Sequence, residues 1–599
     1  MLALAIFHTI TLRNHKKYCI INCVCKIWGG KIMGKTYLKI LTTLIISFGI
    51  IMSLLTIVDI NNVKAKDVKK ESGPETIDSI IIDEEGNASK LTFEEATKKS
   101  NHSKFRLNQD SVDYVNNPKA GSFYVAHLNS SSGNNKYLTY KNALIPGKDG
   151  YTTGAYGLDG VYIGTFNGRY RVMQSGVLMD FQTSDVKLVE YSNAKISYYK
   201  IVNGYLMHYI YTKNGSSAIR VGYKLNYLKE KTKYYSYDGH YFYTDYPTMV
   251  TDYQKNSRAH SVNPNNPYYN YYQYLPHRSK TAMTASMMNN IVVSKVGDSP
   301  SKMKNLGDSF IEVQNNYGVN AVLMFGLAGN ESNWGRSGIA MDKNNLFGHN
   351  ATDNNPYGNA DTYKSPIDCI KHHADEWIGG YAEITRWKYN GSHLGDKLSG
   401  MSVEYASDPY WGEKAASVNY YYDVKSDYGY NTIGIINGNT KGYSVYKDPS
   451  YSAPIVYTFG KSNVKSPYDL PVIILDTIKD NSGSTWYKIQ SDTALTDDRS
   501  KIDKSQRYSF SRDYVYIPAK NITIINKGDV TKPSYYTGDV NGDGKVSSLD
   551  YIQIKNHIMK TKVLSDSALL RADVNGDGKV SSLDYIKIKN HIMGTNKLF

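Results

Sequence analysis

Hydrophobic and polar positions change their period several times along the 599-residue chain. An uncharged apolar run from Ile40 to Val58 comes first, followed by a polar stretch over 66–118 rich in Lys, Glu, Ser and Asn. From about 121 to 230, short alternating runs such as VYIGTF, KISYYKIV and YLMHYIYT are separated by Gly and Asn turns. A period of two predicts an antiparallel β-rich module. Helical patterning begins near Ser279: residues 308–316 are amphipathic, and 319–328 (VNAVLMFGLA) are almost continuously apolar, which predicts a buried helix. Ser365-Pro366 supplies an N-cap and a first-turn proline for another helix, running through Ile367, Ile370 and Trp377. Residues 441–527 return to short strands (YSVYKDP, PVIILDTI, TWYKIQ, DYVYIPAKNITII), and 528–537 form a linker.

Residues 538–599 hold one unit twice, GDVNGDGKVSSLDYIQIKNHIM from Gly538 and ADVNGDGKVSSLDYIKIKNHIM from Ala572. Oxygen-bearing side chains recur at loop positions 1, 3, 5, 9 and 12, the ligand spacing of an EF-hand-type calcium loop. The predicted ligands are Asp539, Asn541, Asp543, Ser547 (through water) and Asp550, with the Lys545 carbonyl at position 7. The second set is Asp573, Asn575, Asp577, the Lys579 carbonyl, Ser581 and Asp584. Two ions are expected, in a structural role. Position 12 is Asp rather than Glu and no helix precedes the first loop, so the unit resembles a type I dockerin. That resemblance implies a small α-helical calcium-binding module that plugs into a cohesin on a scaffold or another enzyme. It also implies a cohesin-facing surface at Ser548, Leu549, Lys555 and Asn556, and again at Ser582, Leu583, Lys589 and Asn590. Two nearly identical faces allow two binding orientations related by a half-turn.

The ends and the composition narrow the class. Residues 33–65 read as a signal peptide: Lys35 and Lys39, then the apolar run, then a small-residue cleavage site at Val63-Lys64-Ala65. Nineteen apolar residues are also long enough for an uncleaved membrane anchor. Residues 1–32 fit neither pattern and read as translated from upstream of a start at Met33. Cys19, Cys23 and Cys25 lie in that leader, leaving Cys369 alone and no internal disulfide. Residues 1–32 carry five basic and no acidic side chains, and 33–65 three basic and one acidic, so their removal lowers the net charge from +15 to about +8. A modest positive balance suits an anionic cell wall, and no clustered basic stripe points to nucleic acid. The 55 tyrosines either stack on sugars or fill sheet faces.

The predicted buried helix ends at Gly329-Asn330-Glu331-Ser332-Asn333-Trp334-Gly335. A carboxyl at the mouth of an apolar helix beside an indole has little water to stabilise its charge, so it is expected to stay partly protonated. That is the property of a general acid, which glycosidic cleavage needs to protonate a poor leaving oxygen. The alternative is an ordinary helix-terminal charge. ESNWGRSGIA, Asn344-Asn345-Leu346-Phe347-Gly348, ATDNNP and Tyr363-Lys364-Ser365 resemble the β-N-acetylglucosaminidase domains of bacterial autolysins, glycoside hydrolase family 73. The likeness runs over roughly 280–430, including YGVNAVLM and EYASDPYWGEKAA. It implies a lysozyme-like fold with Glu331 as the catalytic acid. It further implies that Asn345, Phe347 and Gly348 shape the floor of a sugar groove lined by Trp334 and Tyr363. Residues 441–527 resemble bacterial SH3-like wall-binding modules.

A second catalytic group stays open among Asp342, Asp353 and Asp361. Two carboxylates lie about 5 Å apart in retaining enzymes and about 6.5–9.5 Å apart in inverting ones. An N-acetylated substrate offers a third route, in which its own acetamide attacks the anomeric carbon and Asp353 orients it. Asp353 is equally readable as a turn-capping aspartate before Asn-Asn-Pro. His372 and His373 lack metalloprotease spacing, Cys369 reads as a small buried residue, and no catalytic cofactor is expected.

The expectation is a secreted or wall-associated α+β protein of several domains. Its parts are a leader (1–65), a polar stalk (66–120), a β-rich module (121–230), a mainly α lysozyme-like catalytic domain (231–435), an SH3-like module (441–527) and a dockerin (538–599). Its expected activity is endo-β-N-acetylglucosaminidase hydrolysis of the GlcNAc–MurNAc bond of peptidoglycan. The rivals are an enzyme acting on host N-linked glycans and a non-catalytic glycan-binding adhesin.

Overall fold

In the computed structural model, residues 79–82, 88–91, 114–128, 137–212, 215–351, 355–422, 427–438, 442–459, 468–528, 538–541, 546–564, 566–575, 579–596 and 598 are described. The expected leader lies outside them, as does the expected linker 528–537 apart from Gly528. Where the sequence predicted a stalk, Ser79–Ile82 and Ala88–Leu91 pair as an antiparallel hairpin. Among the described residues no helix is long and apolar enough to cross a membrane.

The β-rich region forms two antiparallel sheets. Eight strands order spatially as 114–115, 187–190, 124–127, 159–166, 169–174, 177–182, 138–142 and 149–152. Three more follow, Tyr198–Val202, Tyr205–Thr212 and Gly215–Tyr223. Tyr205–Thr212 shows the predicted period of two, with Leu206, His208 and Ile210 buried and their neighbours half-buried. The sequence reading placed a domain boundary near 230, but the three-stranded sheet shares one core with the helices that follow. Ile201, Leu206, Ile219 and Val221 pack in the same cluster as Phe325, Ala328 and Trp411. Below them His208 Nδ1 meets Glu413 of a later helix at 2.7 Å.

The helices that frame the α-rich part include α1 (Ala285–Val296), α2 (Gly307–Tyr317), α3 (Ala321–Glu331), α4 (Pro366–His372) and α5 (Trp411–Tyr422). Their ends follow the capping rules. Thr284 accepts from Met287 N, Asn320 from Val322 N and Leu323 N, and Ser365 from Asp368 N. The helix predicted through Trp377 is present, but over His373–Ile378 it widens into a π turn.

Residues 433–526 form a seven-stranded antiparallel sheet. Strand Ile433–Ile436, which straddles the end of the expected catalytic stretch at 435, pairs in this sheet with Leu470–Ile473 and with the strand Ile522–Asn526. Many tyrosines on the strands fill the interior and anchor their hydroxyls there: Tyr170 donates to Asn116 O (3.2 Å) and Tyr199 to Glu413 Oε1 (3.1 Å). For these the sheet-filling reading holds. In the C-terminal unit, helices Ser548–Ile558 and Ser582–Ile592 each start from a serine N-cap with a capping box.

Candidate active site

Helix α3 is buried along its whole length until Glu331, its last residue, which is half-buried. Two glycines allow that burial. A Cβ on Gly326 would lie 2.4 Å from the Tyr422 hydroxyl, and one on Gly329 would lie 2.8 Å from the Trp334 ring. Asn330 Nδ2 approaches Glu331 Oε1 at 3.4 Å, and Oε2 is shielded from solvent. Low exposure at the end of an apolar helix is the environment in which a carboxyl holds its proton.

The chain then turns through three successive left-handed residues, Asn333 (φ 50°), Trp334 (φ 56°) and Gly335 (φ 77°). Glycine takes this region freely, whereas a bulky residue such as Trp334 is strained there by about 1–2 kcal/mol. Neighbours enforce the turn. Trp334 N donates to Gly329 O (2.7 Å), Gly335 N to Ser332 Oγ (2.7 Å), and Ser301 Oγ to Trp334 O (2.6 Å). The Trp334 ring is only 2% exposed, edge-on to Phe325 (5.7 Å) and Tyr422 (5.6 Å). Trp334 therefore does not line an open groove, as the resemblance implied; it pins the strained turn that carries Glu331.

A second loop, 344–363, rises from the same core. Asn345 is fully buried and clips it: Nδ2 donates to His349 O (3.0 Å) and Asp361 O (3.1 Å), while Oδ1 accepts from His349 N (3.0 Å). Phe347 lies flat on His373 at 3.6 Å. Both residues thus sit beneath the surface, with Gly348 half-buried in a left-handed turn (φ 65°) above them. Tyr363 is half-buried, and its hydroxyl meets His349 Nδ1 at 2.8 Å. Burial raises the Tyr363 phenol, with Cys369 and Asp361 adding to the effect.

Sequence reasoning missed the support for this loop. His349 Nε2 and His373 Nδ1 stand 3.0 Å apart, and Trp377 stacks on His349 at 4.6 Å. Burial, then the neighbouring His349, hold the His373 imidazole well below its usual range. The π turn places His373 against Phe347 and Trp377 against His349, and such bulges concentrate at functional sites. Segment 301–303 was missed too. Lys302 N bonds Gly335 O (3.0 Å) and its Nζ bonds Asn344 Oδ1 (2.8 Å), tying the Glu331 turn to the second loop. Nothing local in Ser301-Lys302 announces that role.

Of the candidate second groups, Asp353 lies outside the described residues. Asp361 is half-buried and accepts from Asn350 Nδ2 at 2.8 Å. Asp342 is exposed and accepts from the Tyr357 hydroxyl (2.8 Å). Cys369 is buried, its thiol pushed up to about 12 by desolvation, which removes it as a nucleophile.

In the repeat unit, Asp543, Lys545 and Asp577 lie outside the described residues. Asp550 and Asp584 are fully buried in identical settings. Asp550 Oδ1 accepts from Asn541 N (2.9 Å) and Oδ2 from Ser547 N (2.8 Å); Asp584 repeats this with Asn575 N (3.1 Å) and Ser581 N (2.8 Å). Asp539 and Asp573 are buried alongside. Four buried carboxylates in a unit this small fit a hard cation as the balancing charge. Ser547 and Ser581 serve as N-caps, accepting from Leu549 N and Leu583 N at 3.2 Å. Of the expected partner surface, Leu549 and Leu583 are 57% and 58% exposed, Ser548, Lys555, Ser582 and Lys589 are exposed, and Asn556 and Asn590 half-buried.

Residues 307–424 match the family described as mannosyl-glycoprotein endo-beta-N-acetylglucosaminidase, and 537–593 match the type I dockerin domain. Two curated relatives are putative endo-beta-N-acetylglucosaminidases of Streptococcus pneumoniae, from strains TIGR4 and R6. Each is 34% identical over 254 residues, 42% of this chain and 33% or 31% of theirs. The chain thus spans about a third of the length of the curated relatives it matches. Among solved structures, a catalytic mutant of S. aureus autolysin E in complex with the disaccharide NAG-NAM is 23% identical. That match covers 24% of this chain and 69% of the other at a TM-score of 0.20, too low to add to the fold described above. Residues 307–424 thus form a domain of the glucosaminidase family, and residues 537–593 a type I dockerin domain.

Proposed function

We propose that this chain is an endo-β-N-acetylglucosaminidase that hydrolyses the GlcNAc–MurNAc bond of peptidoglycan, with Glu331 as general acid. The carrying observation is the placement of Glu331, half-buried at the end of a buried helix and fixed by the strained Asn333–Gly335 turn. In this reading the Glu331 carboxyl gives its proton to the glycosidic oxygen as the C1–O bond breaks. The acetamide oxygen of the same sugar closes on C1, with Asp353 orienting it, and water then opens that ring and restores the proton to Glu331. Asp361 is the alternative second carboxylate. Asn345, Phe347 and Gly348 support the substrate from below, and Tyr363 lines the groove.

The C-terminal unit holds two calcium ions through Asp539, Asn541, Asp543, the Lys545 carbonyl and Asp550, and through Asp573, Asn575, Asp577, the Lys579 carbonyl and Asp584. Calcium there balances buried carboxylates and fixes the two helices, whose exposed ends meet a cohesin. The protein is exported and wall-associated, and residues 441–527 act as an SH3-like wall-binding module.

The name of the matched family favours a second reading, in which the substrate is the chitobiose core of mannosyl-glycoproteins. Borohydride reduction of products followed by mass spectrometry separates the two. Reduced GlcNAc ends from washed peptidoglycan support the first reading. Reduced MurNAc ends would make the enzyme a muramidase, and products only from N-glycoproteins would establish the second.

A further inference from the structure

The seven-stranded module is built onto the catalytic domain rather than hung beside it. Arg278, ahead of α1, donates from Nε to Asp492 O (3.0 Å) and stacks on Tyr508 at 4.1 Å. Tyr389 donates to Asp492 Oδ2 (2.5 Å), and Thr493 donates to Glu383. A Cβ on Gly318 would lie 1.9 Å from the Tyr508 ring, so the surfaces meet as closely as glycine permits.

Where they part, a cleft of about 420 Å³ opens, lined from both sides. That is the size of an ordinary ligand site. Four cations face it, Arg278, Arg386, Lys504 and Arg507, against two carboxylates, Asp375 and Glu383. Among the described residues Arg386, Lys504 and Arg507 enter no ion pair, although other cations of the module do. Arg507 lies over the Tyr317 ring at 4.7 Å, which holds its guanidinium plane. Arg278 is 6% exposed and uses Nε and Nη1 on the carbonyls of Asp492, Tyr317 and Gly318. Its Nη2 has no partner among the described residues. A nearly buried guanidinium with donors to spare, beside two unpaired arginines, is suited to fork-like recognition of carboxylates.

We propose that this cleft binds the peptide substituents of the glycan substrate, a short chain of net acidic but mixed charge. This rests on the glycan-hydrolase reading above. Mixed charge follows from the lining: a purely polyanionic ligand would be repelled by Asp375 and Glu383, whereas an amino group on the peptide would pair with them. An extended ligand follows from position. Tyr317 precedes the start of α3 and Glu331 ends it, so the cleft and the catalytic acid are separated by roughly 16 Å, the length of an 11-residue helix. A single sugar cannot reach both, but a peptide-bearing glycan strand can. The module would then select glycan that still carries its peptides.

The test is co-sedimentation of the full chain, in a Glu331→Gln background to prevent turnover, with insoluble peptidoglycan before and after an amidase has removed its peptides. The parent should bind the peptide-bearing form about tenfold more tightly, with a preference that shrinks as salt is raised. Arg386→Glu/Arg507→Glu should lose that preference and keep parental affinity for stripped glycan. Arg386→Lys/Arg507→Lys, of unchanged charge, should retain part of it. Equal loss on both forms, or unchanged binding, overturns the proposal. Binding abolished by removing wall phosphate polymers, rather than peptides, overturns it in favour of a phosphate ligand. If the parent binds neither form while the wild-type chain hydrolyses N-glycoproteins, the peptidoglycan reading falls, and the cleft's assignment with it.

Discussion

At the scale of single residues, Trp334 separates two accounts of the site. As the pin of the Glu331 turn, its replacement by Ala removes a fully buried indole and should cost about 3–5 kcal/mol of stability. Thermal unfolding measures this, and turnover should fall with it. A groove-lining tryptophan would instead raise KM with little change in melting temperature. Glu331 itself was legible because an apolar run that ends in a carboxyl is a local pattern. The burial of Trp334 was not, because it depends on three consecutive left-handed residues and on Ser301, far away in sequence. His349 and His373 escaped for the same reason. Their partnership, and the stacking of Phe347 on His373, exist only once two separate segments meet.

At the scale of elements, caps and periodicity carried most of the helices. Ser365 caps where expected, and the 319–328 run became α3, whose cap at Asn320 the structure adds. The joints between elements were not legible, since they are polar contacts between distant segments. Asp492 is the clearest case. Burial at the joint raises its carboxyl to about 7, a shift that Tyr389 and Arg278 only partly offset. Its folded value lies above the unfolded one of about 3.9, so its contribution to stability is complete below about pH 4 and is lost as pH rises through about 7. Asp492→Asn removes that loss. Across this window the variant should gain on wild type by at most ~1.4 kcal/mol per pH unit. Denaturant melts at pH 4.5 and 7.5 measure this, and parallel curves for the two proteins would contradict it.

At the scale of the whole molecule, the β-rich strands, the helices and the seven-stranded sheet interlock, where the sequence suggested separate beads. Tyr199–Val221 share a core with α3 and α5, so the boundary expected near 230 has no counterpart in the packing. The C-terminal unit was the most legible part, because its repeat and ligand spacing are written in order along the chain. Calcium removal should unfold 538–599 alone, since ion binding and folding are coupled in such loops. Hydrogen exchange on the full chain with and without chelator should show protection lost there and kept in 307–424. Its two exposed faces predict cohesin binding that survives Leu549→Asp or Leu583→Asp singly and fails only with both, as calorimetry would report.

Whether Glu331 is the acid is decided by the turnover of Glu331→Gln on washed peptidoglycan, read beside its melting temperature. Reducing-end release should fall by about 10²–10⁴-fold with the melting temperature essentially unchanged. A variant that keeps more than a tenth of wild-type turnover while remaining folded would contradict that role for Glu331.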